Sequence, residues 1–398
     1  MRIKFVSKTP VDRMEALWRP LVPEGGFARA EFTFDPDDRD YDFLAVYEDL
    51  PPRPGERKIL RSERLACDKD NTLLITTEPS SIRLMGPNYL SQFGKVWTSV
   101  DYGMAGRDPD TGLIVNERLY KAFNSRQRTG QVHQLGFKSQ PPPLRWFYGR
   151  DFEGADHMTV TEIARTSPEK SADLSTVTSD KAMAHTVHAA RLSFVQALSA
   201  RMGGELALFG RGFQEVRDKA EAMAPFRYHL AIENHVQRGH HTEKLTDCFL
   251  AECLPFYFGD PGYNAVYPRE AVIPIDITDL DAAERIIRDA IATQQWEKRL
   301  PLIRKAKARA LHRSNPVAQA MMVAGRLASC EPAHDAVSRG QDAPGSPDSS
   351  VIHGRHAFRR THPLLALQDA AIVARLRRTA LANPLQGLPA LRKRVEAV

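Results

Sequence analysis

Short apolar runs that end in polar residues recur along the chain at Ile3–Val6, Glu31–Phe34, Asp42–Tyr47, Leu73–Thr77, Lys95–Val100, Leu174–Thr178, Leu206–Phe209, Tyr228–Ile232, Phe256–Phe258 and Ala271–Asp276. Each has the length and composition of a strand. Between them apolar residues return at helical spacing, around Val11–Leu17 and over roughly His185–Met202, where Val187, Ala190, Phe194, Ala197 and Leu198 share one side. A further helix opens at Thr242, a good N-cap, with Leu245, Phe249, Leu250 and Cys253 on its apolar face, and two more cover Leu280–Ala292 and Gln294–His312. Strand, loop, helix, strand is the unit of an open α/β fold with parallel sheets. Ligands of such sheets bind beyond the carboxyl ends of the strands, where helix N-termini point free N–H groups. Glu78 falls at one such edge, and Glu233, Asn234, Thr242, Glu243 and Lys244 fall at another.

Length and charge refine this picture. The chain has 398 residues, 42% hydrophobic, which suits two domains better than one core. The polar stretch Asp151–Lys170 reads as the interdomain linker, giving domains over 1–165 and 171–315. Residues 331–352, rich in Pro, Gly, Ser and Asp, read as disordered, so 331–398 is expected to be a disordered linker and basic tail. From His353 onward nine Lys/Arg face two acids, a balance of +7; the whole chain carries +6, so residues 1–352 sum to −1. The body therefore gives no reason to expect nucleic acid. Residues 364–382 have the pattern of an amphipathic helix ending in arginines, which suits either an anionic membrane surface or a solubilising tail. The four cysteines form no CxxC pair and read as free thiols in a reducing compartment. No apolar stretch approaches the ~20 residues that span a bilayer. The expected location is cytoplasmic, with peripheral attachment to the inner membrane open.

The candidate chemistry concentrates at the second edge. Lys244 sits in a first helical turn, where the helix dipole disfavours a cation by a few tenths to ~1 kcal/mol; a bound pyrophosphate would reverse that sign. Glu243 suits ribose hydroxyls, and a capped surface helix is the plainer alternative. Asp35-Pro-Asp37 and Asp108-Pro-Asp110 read as turns, and no metal is expected. The aromatics of Leu144–Tyr148 suit either core packing or stacking on an acceptor sugar. Lys219 reads as a solvated lysine, and Gly210-Arg-Gly212 as a turn able to approach a nucleotide.

The stretch FRYHLAIENHVQRGHHTEKLTDCFLAECLPFYFGDP, residues 226–261, resembles the donor-site signature of the α-1,3/1,4-fucosyltransferases, glycosyltransferase family ten. The resemblance covers residues 174–280. It implies a GT-B fold, two Rossmann-like domains facing a central cleft, here with a basic C-terminal tail. It implies an inverting transfer of L-fucose from GDP-fucose to a hydroxyl of a glycan or glycolipid, with no cofactor beyond the donor and no metal. By resemblance Arg191 reaches the donor pyrophosphate, Asn234 and Lys244 approach phosphate or fucose, Glu243 binds ribose, and Glu233 is structural. Glu78, in LLITTEPSS, resembles the family's general base; capping the turn before Pro79 is the alternative. His240 departs from the pattern, which has an aromatic residue there, often tyrosine, and so bears on donor-sugar choice. Two other readings stand beside this one: a GT-B transferase using another nucleotide sugar, and a non-catalytic protein that binds membrane or polyanion through the tail.

Overall fold

The computed structural model describes residues 1–24, 30–79, 82–100, 106–107, 114–115, 133–135, 141–151, 156–180, 187–236, 239–329 and 350–378. The Asp108–Asp110 turn, Lys181, Cys330 and the linker over 331–349 lie outside these residues. The chain divides into two compact units, Met1–Pro143 with Pro316–Thr379, and Leu144–Asn315 with Ala380–Val398.

The first unit contains β1 (Arg2–Ser7), β2 (Glu31–Thr33), β3 (Phe43–Tyr47), β4 (Ser62–Arg64), β5 (Thr72–Thr76), β6 (Lys95–Thr98), β7 (Gly106–Arg107), β8 (Ile114–Val115) and β9 (His133–Leu135). Six of these form one sheet in the order β2-β1-β3-β5-β6-β9, with every pairing parallel. All residues of β3 and β5 are buried, as expected for a parallel sheet covered on both faces. Trp18, from the helix Val11–Trp18, packs its ring on Phe5 of β1 and Tyr47 of β3. Asp35-Pro-Asp37 is a turn, closed by the Asp37 N–H donating to Asp35 Oδ1 at 2.8 Å.

The second unit contains β10 (Ala172–Val177), β11 (Leu206–Phe209), β12 (Phe226–Ile232), β13 (Leu254–Phe258) and β14 (Ile273–Pro274), in the order β11-β10-β12-β13-β14, again all parallel. Helices His188–Met202, Lys219–Met223, Glu243–Leu250, Leu280–Ala292 and Gln295–Arg313 connect and cover it. Each unit is thus a Rossmann-like α/β layer. The expected strand Ala271–Asp276 shrinks to Ile273–Pro274, because Arg269–Ala271 forms a 3-10 turn.

Two expected boundaries are corrected. Leu144–Arg150 belongs to the second unit, not the first, because its backbone is satisfied there: Asp247 Oδ1 accepts the Phe147 and Tyr148 N–H groups at 2.8 and 3.1 Å, and Asp218 Oδ1 accepts that of Gly149. Trp146 and Tyr148 are buried, so this aromatic cluster is core. The tail beyond 350 is not disordered through Arg378. After the helix Pro316–Ser329, the strand β15 (Val351–His353) pairs antiparallel with β4, and helices Arg355–Thr361 and Pro363–Arg378 follow. The polar residues that made this stretch look solvated meet partners in the first unit. Arg355 Nε donates to buried Asp49 at 2.8 Å, and the His353 N–H donates to Gln92 at 2.8 Å. Asp369 accepts the Asn88 and Tyr89 N–H groups, each at 2.9 Å, capping the helix Pro87–Leu90 that begins at Gly86.

Asp369→Ala removes this buried cap from outside the helix it serves. Urea unfolding should show a loss of about 1–3 kcal/mol; an unchanged midpoint would mean the C-terminal segment adds nothing to the first unit.

Candidate functional site

Because the strands of the second unit run parallel, Val177, Phe209, Ile232 and Phe258 all end at one edge. The chain leaving β11 turns at Gly210, whose φ is +112° and where a Cβ would stand 1.9 Å from the Thr178 carbonyl oxygen. Only glycine lets β11 and the end of β10 run this close. The Gly210 turn therefore brings the backbone to Thr178 and Ser179.

Glu233, the first residue after β12, organises the edge. Its fully buried carboxylate accepts the Thr242 N–H at 2.7 Å and the Thr242 hydroxyl at 2.6 Å. Thr242 is the N-cap of the Glu243–Leu250 helix, with its hydroxyl accepting from the Lys244 N–H at 3.3 Å. Tyr257 donates to Glu233 at 3.4 Å while accepting the Asp260 N–H at 2.9 Å. A Cβ on Gly259 would lie 2.3 Å from Glu233 Cγ, so the strand end beside Glu233 has no room for a side chain. Burial raises the Glu233 carboxyl against the lowering influence of Lys244.

Arg191, on the His188–Met202 helix, is 4% exposed. Its Nη1 donates to Asn234 Oδ1 at 2.5 Å and its Nη2 to Ser179 Oγ at 3.4 Å. Asn234 also accepts the Val187 N–H at 3.1 Å, so it fixes both the start of that helix and the guanidinium. The Arg191 Nε has no acceptor among the described residues, and neither has the buried Thr178 hydroxyl a partner. Burial lowers the Arg191 pKa, opposed by Glu233 and Glu243. A guanidinium nevertheless stays charged.

Lys244 Nζ lies 2.9 Å from Glu243 Oε1 and 3.8 Å from Glu233 Oε2. Glu243 also faces Lys219 at 3.7 Å, and Lys219 pairs with fully buried Asp247 at 2.8 Å. Burial alone would raise the Glu243 carboxyl, but Lys244 and Lys219 outweigh it and hold it well below the usual carboxylate range. Burial pushes the Lys219 pKa down, and Asp247 with Glu243 bring it above the ordinary lysine value. The expectation of a solvated Lys219 is therefore corrected: its side chain is 13% exposed and ties two helices together, because Asp247 on the apolar helix needs a cation. Nothing in the spacing of a five-residue helix signalled this. Thr178 was equally hidden, since a strand-end threonine is unremarkable until its hydroxyl is found buried and unpartnered.

The helix lysine Lys244 and the carboxylate Glu243 thus stand with Glu233 at one edge, and Arg191 is joined to Asn234 there. His240 lies in the loop between Asn234 and Thr242, 4% exposed, its ring against that of His235 at 5.9 Å. Burial, His235 and His241 push its pKa down to about 3, so it is neutral at physiological pH. His241 bonds Asp260 at 3.1 Å instead. Among the described residues no three His, Cys, Asp or Glu gather as a metal-holding group. Glu78 lies in the first unit just past β5, partly exposed, with Lys8 Nζ at 3.7 Å.

Residues 168–288 match the family model described as glycosyltransferase family 10 (fucosyltransferase) C-term. The matched residues lie within the second unit. The chain is a glycosyltransferase, and the strand-end edge described above lies inside the matched residues. No curated protein matches. Among solved structures, an α1,3-fucosyltransferase with GDP-fucose is 15% identical, covering 75% of this chain and 80% of that one at a TM-score of 0.38. The same enzyme type with GDP is 12% identical, covering 82% and 89% at 0.39. A DNA-modifying β-glucosyltransferase is 11% identical, covering 81% and 100% at 0.36.

The ion pairs of Glu243 predict a pH dependence for the stability of the second unit. The folded pKa of Glu243 lies below its unfolded value, so its stabilisation is present above the ordinary carboxylate range and is lost as pH falls through the folded value. The stability difference between wild type and Glu243→Gln should be constant from pH 6 to 8 and shrink as pH falls below about 4. A difference that grows with acidification would contradict the ion pairs.

Proposed function

We propose that the chain is an inverting fucosyltransferase that moves L-fucose from GDP-fucose to a hydroxyl of a glycan acceptor of the α-1,3/1,4 type. The observation that carries this is the Arg191–Asn234 pair with a buried unpartnered Nε, beside the N-terminus of the helix that bears Lys244, inside a family 10 domain. An unpartnered guanidinium N–H is costly unless a ligand accepts it. A diphosphate oxygen is the fitting acceptor, and the amide end of a capped helix favours the same charge.

In this reading Arg191 and Lys244 hold the diphosphate, Asn234 keeps the guanidinium turned toward it, and Glu243 accepts from the ribose hydroxyls. Lys244 exchanges its carboxylate partners for phosphate, which leaves Glu243 held by Lys219. Neutral His240 lines the loop near the sugar. The acceptor oxygen attacks the anomeric carbon as the bond to GDP breaks, and GDP departs with the electron pair. Arg191 and Lys244 stabilise that leaving charge, the part a metal plays in other transferases. Glu78 takes the hydroxyl proton as general base.

Arg191→Met should weaken GDP binding at least tenfold in titration calorimetry, whereas Glu78→Gln should leave it unchanged and lower fucosyl transfer at least a hundredfold. Transfer from a different nucleotide sugar, with GDP-fucose inactive, would reject the donor. Normal turnover by Glu78→Gln would reject the base.

One observation favours an additional partner. Leu364 and Leu367, on the outer face of the helix Pro363–Arg378, are 75% and 69% exposed, and the sequence around them is basic. An anionic membrane surface suits such a face. Leu364→Asp with Leu367→Asp should lower co-sedimentation with phosphatidylserine vesicles severalfold; equal partitioning would end this part of the proposal.

A further inference from the structure

One buried carboxylate of the first unit has no part in the chemistry above. Glu48 follows β3, is 1% exposed, and has φ +70°. Three described residues other than glycine share that left-handed region, Glu48, Glu252 and Gln294. Glu252 and Gln294 follow helix ends, where such a turn is ordinary. Glu48 follows a strand, so no helix end accounts for it. Strain of this kind persists where the surroundings over-determine it and where geometry matters.

The surroundings of Glu48 are specific. Its N–H donates to the Ile75 carbonyl at 2.8 Å. Its Oε1 accepts both the N–H and the hydroxyl of Thr77, each at 2.6 Å, and its Oε2 accepts Arg83 Nη1 at 2.8 Å. Thr77 is the residue immediately before Glu78. The corner where the chain leaves β5 is therefore held by two donors of one residue on one carboxylate oxygen. The next residue, Asp49, is equally fixed: fully buried, it accepts from Arg355 Nε at 2.8 Å and from the Tyr89 hydroxyl at 3.3 Å. The left-handed turn at Glu48 is what allows its carboxylate to reach Thr77 while Asp49 stays with Arg355.

From this geometry we infer that Glu48 is a positioning residue for Glu78, an inference that rests on the reading of Glu78 as general base. Glu48 fixes the backbone direction at Thr77, so that the Glu78 carboxylate is presented in one orientation. It also holds the Arg83 guanidinium. An arginine released from Glu48 into the same loop is a cation able to pair with Glu78, which would stabilise the ionised carboxylate and weaken it as a base. Glu48 has no role in donor binding, since every donor-binding residue assigned above is in the second unit.

The test compares Glu48→Gln, Thr77→Val and Glu78→Gln in the full chain, measuring GDP affinity by calorimetry and the pH profile of fucosyl transfer. Glu48→Gln keeps the size of the side chain and loses its charge. It should lower kcat at least tenfold, leave the GDP dissociation constant unchanged, and move the acidic limb of the profile to lower pH as Arg83 is freed. Thr77→Val, which removes a single donor, covers the case in which Glu48→Gln fails to fold, and should lower kcat severalfold with GDP affinity intact. Unchanged kcat in Thr77→Val, or a Glu48→Gln loss with an unmoved pH profile, overturns the inference. Normal turnover in Glu78→Gln instead overturns the reading of Glu78, so the two failures are distinguishable.

Discussion

The strand-end edge of the second unit depends on a single carboxylate that never reaches solvent. Glu233 closes the end of β12 onto the first turn of the next helix by accepting both donors of Thr242. Hydrogen bonds to a charged acceptor contribute about 1.5–3 kcal/mol each. More important is what they fix: the direction in which the Glu243–Leu250 helix points its free amides, and the distance of Lys244 from Glu243. Gly259 and Tyr257 leave the carboxylate no alternative position. Remove Glu233 and the cap, the helix direction and the ammonium all lose their common reference.

Charge balance at this edge is nearly closed without a ligand, and that has a chemical consequence. Arg191, Lys219 and Lys244 face Glu233, Glu243 and Asp247. Lys244 is thus held by carboxylates, while Asp247 keeps Lys219 fixed.

Much of this was legible in the sequence where local rules governed. The Thr242 cap, the apolar face through Leu245 and Phe249, and the strand Leu206–Phe209 follow from spacing alone, and the structure keeps them. The Glu-Asn pair at the end of β12 marked the edge, but the bond from Arg191 to Asn234 had no signal in the spacing. What stayed hidden depended on long-range partners. Lys219 looks solvated until Asp247, 28 residues on, is seen to need it. Arg355 and Asp369 look like tail polarity until Asp49 and the Pro87 helix receive them across roughly 300 residues. The backbone of Glu48 gives no signal in composition, because a left-handed residue after a strand is set by contacts at both sides.

In the proposed function the helix amides, Arg191 and Lys244 recognise a diphosphate. Titration of the full chain with GDP, GMP and guanosine tests it most directly. The account predicts that GDP binds at least tenfold tighter than GMP, with a steep loss of GDP affinity as salt rises. Equal affinities for GDP and GMP, or no binding of either, would contradict it.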